Sequence, residues 1–506
     1  MSQAEKRKLT KEQKAVQKAE REKIYRRAKV WQMGIYPIGG FGHNAFMALM
    51  MFVSYYATGI VGLGTVIASI VITGSRIMDA VTDPIVGLIL DKTKGRFGKV
   101  RPALVVAYIL MASSTLLMFF TNHLVPHGIK LIYFIGLYIV YILGYALSQI
   151  ALNIGNTILT NDPEQRPLLG GLLTICTVVF FTLQSIYLSY YLIGKYGDFS
   201  NVGLFHEMTI FTVILAGIAY IFAIIGIAAK DRDENFGASH HSEAIKLKDL
   251  WPLLKNNRPF QMFIVSAAVD KLSMQIAGNV IVGVMLFGII IGNYPLGGTV
   301  SAIALIPNII VLLFGIRYAM KFGSKKGFVI ATWACIISYS LLFLLLWLGD
   351  PKQIRMDNMG FMTISFLFLY LIGGAVRYVC SGLMMPMLAD IVDYNMHKTN
   401  RFAPGVISSV YAFIDKAVSS LQQTFIGLML ALIGFKAAFP DINTPYSDKI
   451  FWMTMFLAIG VMVIAWIISL IAMKFYELDK ERMAESGRTR SAATSGLDKI
   501  ADGRRR

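Results

Sequence analysis

The chain has 506 residues, of which 56% are hydrophobic and 15% charged, and its mean hydropathy is +0.59. That much apolar surface exceeds what a water-soluble core of this size can hide, which excludes a soluble enzyme, a DNA-binding domain and a disordered scaffold. The net charge of +18, from 48 Lys and Arg against 30 Asp and Glu, therefore calls for a membrane explanation before a nucleic-acid one.

Residues 1–33 form a basic N-terminal extension. Its first 30 residues hold 11 Lys or Arg against 4 Glu, and Leu9, Val16, Ile24, Tyr25 and Trp31 can share one helical face. A basic helix on the anionic inner leaflet and a solvated tail both fit this pattern. No apolar run with a small-residue cleavage site follows it, so no cleavable signal peptide is expected. Twelve apolar runs come next, at 34–58, 63–90, 103–120, 131–159, 168–193, 208–229, 260–291, 294–316, 328–348, 361–388, 403–435 and 451–473. Each is close to the about 20 residues that cross about 30 Å of hydrocarbon. Strands of a β-barrel would be about 10 residues of alternating pattern, so the fold class is an all-α membrane protein.

Orientation follows from the loops. Lys92, Lys94, Arg96, Lys99 and Arg101 follow the second run, and Arg317, Lys321, Lys325 and Lys326 follow the eighth. The loops after the third and seventh runs hold Lys130 alone and no basic residue. Basic loops stay cytoplasmic, which places both termini and the central loop 230–259 inside. That loop separates six-helix halves at 34–229 and 260–473, and 474–506 is a cytoplasmic tail. The halves echo one another: Arg96-Phe97-Gly98-Lys99 follows the second run, and Lys321-Phe322-Gly323 the equivalent eighth. Two six-helix repeats are a secondary-transporter layout, with solute expected between the halves at mid-membrane. No GxxxxGK[ST] phosphate loop occurs, which argues against an ATP-driven pump.

Polar groups inside the runs identify candidate sites, because an ionised side chain at mid-bilayer costs at least about 2.5 kcal/mol. Arg76, Asp79, Thr82 and Asp83 are spaced to share one helical face. Two carboxylates one turn apart suit Na⁺ or a shared proton, unless they form only a packing network with Arg76. Lys416, beside Asp415, is a candidate counter-charge in the eleventh run. Asp270-Lys271 and Arg377 are further charges that line either a cavity or a helix interface. The first run opens with Tyr36-Pro37-Ile38-Gly39-Gly40, a breakable start of the kind found along transport cavities. Tyr145, Gln149, Asn153 and Asn156 form a polar stripe that suits a polyhydroxylated ligand or interhelical hydrogen bonding. The histidines show no metal spacing and Cys176, Cys335 and Cys380 no pairing pattern, so no metal, cofactor or disulfide is expected.

Asp79-Ala-Val-Thr-Asp83-Pro-Ile-Val-Gly87, followed by Asp91-Lys-Thr-Lys-Gly-Arg96-Phe-Gly98-Lys99, resembles the glycoside-pentoside-hexuronide:cation symporters, the melibiose permease family of the major facilitator superfamily. Ala389-Asp390-Ile-Val-Asp393-Tyr394, between the tenth and eleventh runs, matches a second signature, and Lys416 falls on the family's lysine in span eleven. The resemblance covers Tyr36 to Tyr476 and implies the major facilitator fold, transport by alternating access, and coupling-cation ligands at Asp79 and Asp83. In melibiose permease, aspartates that bind sugar stand where Asn44 and Gln149 stand here, and a tryptophan stands where Asn153 stands. Thr82 replaces an asparagine and Ala146 a threonine of the cation site.

The function expected is cation-coupled symport, with H⁺ or Na⁺, of a sugar, glycoside or uronide by a plasma-membrane protein of a bacterial type. Asp79, Asp83 and Thr82 would bind the cation, Arg76 and Lys416 would couple charge, and Asn44, Tyr145, Gln149, Asn153 and Arg377 would bind solute. A lysolipid transporter and a non-transporting receptor are the alternatives. The lack of a nucleophile-base-orienter set argues against an intramembrane enzyme. The expected partners are a small polar solute and membrane lipids, with no nucleic acid, around a monomer.

Overall fold

Each of the twelve apolar runs is helical in the computed structural model, which describes residues 27–92, 97–126, 128–160, 162, 165–232, 257–357, 359–399 and 404–478. The expectations for the N-terminal extension before residue 27, for most of the central loop and for the tail beyond residue 478 lie outside the described residues. The helices are α1 (30–60), α2 (Thr65–Lys92), α3 (Val100–Thr121), α4 (Lys130–Leu159), α5 (165–196) and α6 (Val202–Ile227). They continue as α7 (258–290), α8 (Tyr294–Phe322), α9 (Ser324–Leu348), α10 (Phe361–Thr399), α11 (404–432) and α12 (448–475). Among the described residues, 8 helices are long and apolar enough to span a membrane, and the bent α7 makes 9. The other three are α1 and α11, which are broken, and α2, whose lower half carries the charges.

The breaks have local causes. Pro37 has no N–H to give, and α1 tightens there into a 3₁₀ turn at Tyr36–Ile38. α7 bends by 52° after Ala277, where the Asn279 side chain accepts from the Ile281 N–H and starts the next segment. α10 runs on to Thr399, so the signature at 389–394 lies inside this helix and not in a loop after it.

The described helices group into two compact units. The first holds the chain up to Met51, Val81–Gln184 and Val202–Ser239. Small residues bring its helices close: a Cβ on Gly39 would stand 2.5 Å from that of Ala223, and one on Gly42 would stand 3.2 Å from the Tyr220 ring. The loop into α3 explains its own motif. Gly98 has φ +76°, and its α-carbon faces Asp231, whose buried carboxylate accepts from the N–H groups of Lys99 (2.9 Å), Val100 (3.2 Å) and Arg101 (2.9 Å). Asp231 thus caps the start of α3 from the far side of α6 and pairs with Arg101. The chain enters this unit on a fixed anchor: the Ala28 N–H donates to Gln165 Oε1 at 2.9 Å, Gln165 Nε2 donates back to the Ala28 carbonyl at 3.0 Å, and Arg27 pairs with Asp162 at 2.8 Å.

The second unit holds Phe52–Ala80, Ser185–Asn201 and the chain from His240. It therefore joins α7 to α12 with the ends of α1, α2 and α5 farthest from the basic loops. Four π-helical turns, Tyr56–Ile60, Tyr187–Leu192, Val284–Ile290 and Phe456–Gly460, all lie in this unit. Such turns loosen the regular hydrogen-bond ladder and commonly mark functional bends.

Candidate functional site

In the first unit α1 and α4 bring a polar and aromatic cluster together. The His43 imidazole stacks on the Tyr145 ring, with centroids 4.2 Å apart and planes 26° from parallel. His43 Nδ1 and Ser148 Oγ are 3.2 Å apart, and Ser148 Oγ lies 2.7 Å from the Tyr220 hydroxyl of α6. Gln149 faces the same imidazole and donates through Nε2 to Asn153 Oδ1 at 3.4 Å. The half-buried Tyr145 donates to Met47 Sδ at 3.5 Å. An aromatic face beside neutral amides and hydroxyls is the kind of surface that holds a sugar ring, through its apolar edge and its hydroxyls together.

The stripe expected on α4 is thus present but not uniform. Tyr145, Gln149 and Asn153 share the cluster, whereas the Asn156 Oδ1 is buried with no hydrogen-bond partner among the described residues. Asn44 is buried and turns to α5, donating to Thr177 Oγ1 at 3.4 Å. His43 is absent from the site expected from sequence; its signal there is a costly imidazole within a span, one position before Asn44, with no metal spacing to single it out.

The second unit carries the charged groups of α7, α10 and α11. Lys271 of α7 pairs with Asp415 of α11 at 3.4 Å, so Asp415 reaches across to another helix and is not merely the local partner of its neighbour Lys416. Asp270 is buried and accepts from Trp466 Nε1 of α12 at 3.1 Å. Arg377 of α10 lies 5.8 Å from the Tyr378 ring, and its Nε has no hydrogen-bond partner among the described residues. With the Gln422 amide oriented to suit both neighbours, its oxygen accepts from Arg76 Nη1 at 2.7 Å, which ties α2 to α11. Asp79, Thr82 and Asp83 all lie on α2 at the expected spacing. The side chains of Asp79 and Asp83 lie outside the described residues.

Neutral hydrogen bonds tie the ends of α1, α2 and α5 into the second unit. Gln423 Nε2 donates to Ser54 Oγ at 2.8 Å and its Oε1 accepts from Asn279 Nδ2 at 3.1 Å. Thr424 Oγ1 donates to Thr73 Oγ1 at 2.7 Å, and the Thr65 hydroxyl and N–H reach the carbonyls of Phe435 (2.8 Å) and Lys436 (2.9 Å). Asp441 accepts from the Phe199 N–H at 3.0 Å, and Asn443 donates to Asp198 at 3.2 Å. Most of these bonds are between neutral groups, and the carboxylates of Asp441 and Asp198 sit at the loop end of the assembly.

The family profile described as MFS/sugar transport protein matches residues 35–480. The chain belongs to this family. It is 26% identical over 402 residues to the putative glycoside/cation symporter YagG of Escherichia coli K12, covering 78% of this chain and 80% of that protein. It is also 26% identical to the isoprimeverose transporter of Lactiplantibacillus pentosus, over 88% of each chain, and 24% identical to the glucuronide carrier protein homolog of E. coli K12, over 81% and 85%. The fold is shared with a mutant form of the nucleoside transporter NupG, at a TM-score of 0.60 and 13% identity over 88% of this chain and 99% of that one. As a member of the MFS/sugar transport family, the chain is a multi-pass membrane symporter and not an enzyme.

Proposed function

We propose that the chain imports a small glycoside or uronide, with a proton as the coupling ion, from a membrane in which both termini are cytoplasmic. The single observation that carries the solute class is the His43–Tyr145 stack with Gln149 and Asn153 beside it, an uncharged aromatic and amide surface. The cargoes for which two relatives are named, isoprimeverose and glucuronide, agree with it. The polar side chains Tyr145, Gln149 and Asn153 on this face of α4 do not suit a lysolipid tail.

Coupling is assigned to Asp79 and Asp83, one turn apart on α2, with Thr82 between them. Na⁺ needs several oxygen ligands to replace its water shell, and this chain has Thr82 in place of an amide and Ala146 in place of a hydroxyl. A proton needs only one carboxylate of raised affinity, and binding it relieves the repulsion within the pair. Arg76, held by Gln422, and Lys416 are the proposed charge partners. The proposed working unit is a monomer among membrane lipids. Counterflow of labelled isoprimeverose, a phenyl glucuronide and lactose in proteoliposomes tests the reading. Exchange of at least one of them supports it, and exchange of none, in protein that binds no sugar, rejects the solute class.

A further inference from the structure

Asp270 is a buried carboxylate inside a span that the transport account leaves without a task. It is 3% exposed, midway along the first segment of α7, and Trp466 Nε1 is the one side-chain donor that reaches it among the described residues. Among the described residues no ion pair includes it, and Lys271 on the same helix pairs with Asp415 instead. Arg377 lies close enough to interact electrostatically with Asp270, yet its own Nε is buried and unbonded. Asp270 thus has a single neutral side-chain donor among the described residues, and the nearby Arg377 carries a buried Nε with no acceptor there.

We propose that Asp270 is a second proton-binding site, separate from the α2 carboxylates, whose protonation decides whether Arg377 is engaged by Asp270 or released to an oxygen atom of the solute. The step is a protonation alone: the carboxylate takes a proton from water, becomes a neutral acid held by the Trp466 N–H, and returns the proton to water later in the cycle. The groups facing Asp270 are Lys271 on its own helix, Arg377 and Cys380 on α10, Tyr411 on α11 and Trp466 on α12. Neither the second segment of α11, Gln422–Leu432, nor the π turn of α12 contributes a charged residue. Arg377 is then the one cation facing Asp270 that has no carboxylate of its own within ion-pair distance among the described residues, and its availability follows the state of Asp270.

The protonation half of the proposal stands without any solute, and only the release of Arg377 rests on the transport reading. The test uses the full chain in liposomes with the proton as the probe, followed by infrared difference spectroscopy across a pH titration. Asp270→Asn is expected to delete one titrating C=O band of a protonated carboxyl that Asp83→Asn retains. Trp466→Phe keeps the carboxyl but removes its hydrogen-bond donor, and is expected to move the frequency of that same band. This second variant keeps the test decisive if Asp270→Asn does not fold. An Asp270→Asn spectrum with every titrating band of the wild type, or a Trp466→Phe spectrum with none displaced, overturns the proposal. Absence of sugar counterflow in the wild type would instead count against the transport reading and leave the infrared result untouched.

Discussion

The imidazole of His43 and the phenol of Tyr145 lie face to face at 4.2 Å, with His43 tied through Ser148 to the Tyr220 hydroxyl. Tyr145 is therefore positioned from α1 and α6 although it belongs to α4. Stacked aromatic pairs contribute about 1 kcal/mol beyond burial, which corresponds to about a fivefold change in affinity. His43→Ala should weaken binding of the sugar that supports counterflow by about that factor while leaving binding of the coupling ion unchanged. Thermal shift with and without sugar reads the effect, and an equal loss for sugar and ion would make His43 a general packing residue.

Gln149 and Asn44 should no longer behave alike. Gln149 belongs to the cluster around His43, whereas the Asn44 amide is turned to Thr177. Gln149→Ala is expected to raise the KM for counterflow about tenfold, the value of roughly one lost hydrogen bond, and Asn44→Ala to raise it less. The reverse order would move the solute contact to the α1–α5 side.

Closure at the ends of α1, α2 and α5 depends on one small residue. A Cβ on Gly427 of α11 would come within 2.7 Å of the Ser69 Cβ on α2, with the Ser69 hydroxyl closer still. Gly427→Val must push the two helices apart. In a background without Cys176, Cys335 and Cys380, a reporter Ser54→Cys, whose wild-type side chain is buried, should then react faster with an impermeant maleimide. Unchanged labelling would show that α2 and α11 separate elsewhere.

The same assembly has a pH dependence at its loop. Asp441 is pushed above the usual carboxylate range first by burial and further by Asp198, while the N–H groups of Ile442 and Phe199 and the Ser200 hydroxyl act the other way. A carboxyl with raised proton affinity in the closed arrangement favours that arrangement at low pH, and the advantage is lost as pH rises from the ordinary carboxylate value through the raised one. Asp441→Asn should therefore melt higher than the wild type at neutral pH, with the difference closing on acidification. A lower melting temperature at neutral pH would mean that the charged form is the one the latch needs.

Span positions were legible because about 20 apolar residues in lipid admit only a helix, and α3, α4 and α12 begin and end within a few residues of the apolar runs. The reach of Asp231 to the start of α3 was not legible, since it joins residues more than 120 positions apart by a cap that no periodicity encodes. Nor was the His43–Tyr145 stack. Spacing showed that Tyr145 and Gln149 share a face, but not which neighbouring helix supplies that face. The continuation of α10 through residues 389–394 was hidden by its polar composition, because a helix that leaves the apolar layer loses the hydropathy signal and keeps its hydrogen bonds.

The α2 carboxylates should be separable from the solute cluster. Asp79→Asn and Asp83→Asn are each expected to abolish accumulation of solute against a gradient while leaving inserted, folded protein, since each removes a proposed cation ligand and no apolar group. Exchange down a gradient can persist. Wild-type accumulation in either variant across pH 5.5 to 8 would contradict the assignment.

The central claim is that this sugar symporter runs on protons. Proteoliposomes loaded and diluted in nominally Na⁺-free buffer, with an imposed inward pH gradient, measure this directly. The account predicts accumulation of the labelled sugar that collapses when a protonophore is added and is absent in Asp83→Asn. Accumulation that ignores the pH gradient and appears only with an inward Na⁺ gradient would contradict it, and would require Thr82 and bound water to complete a sodium shell.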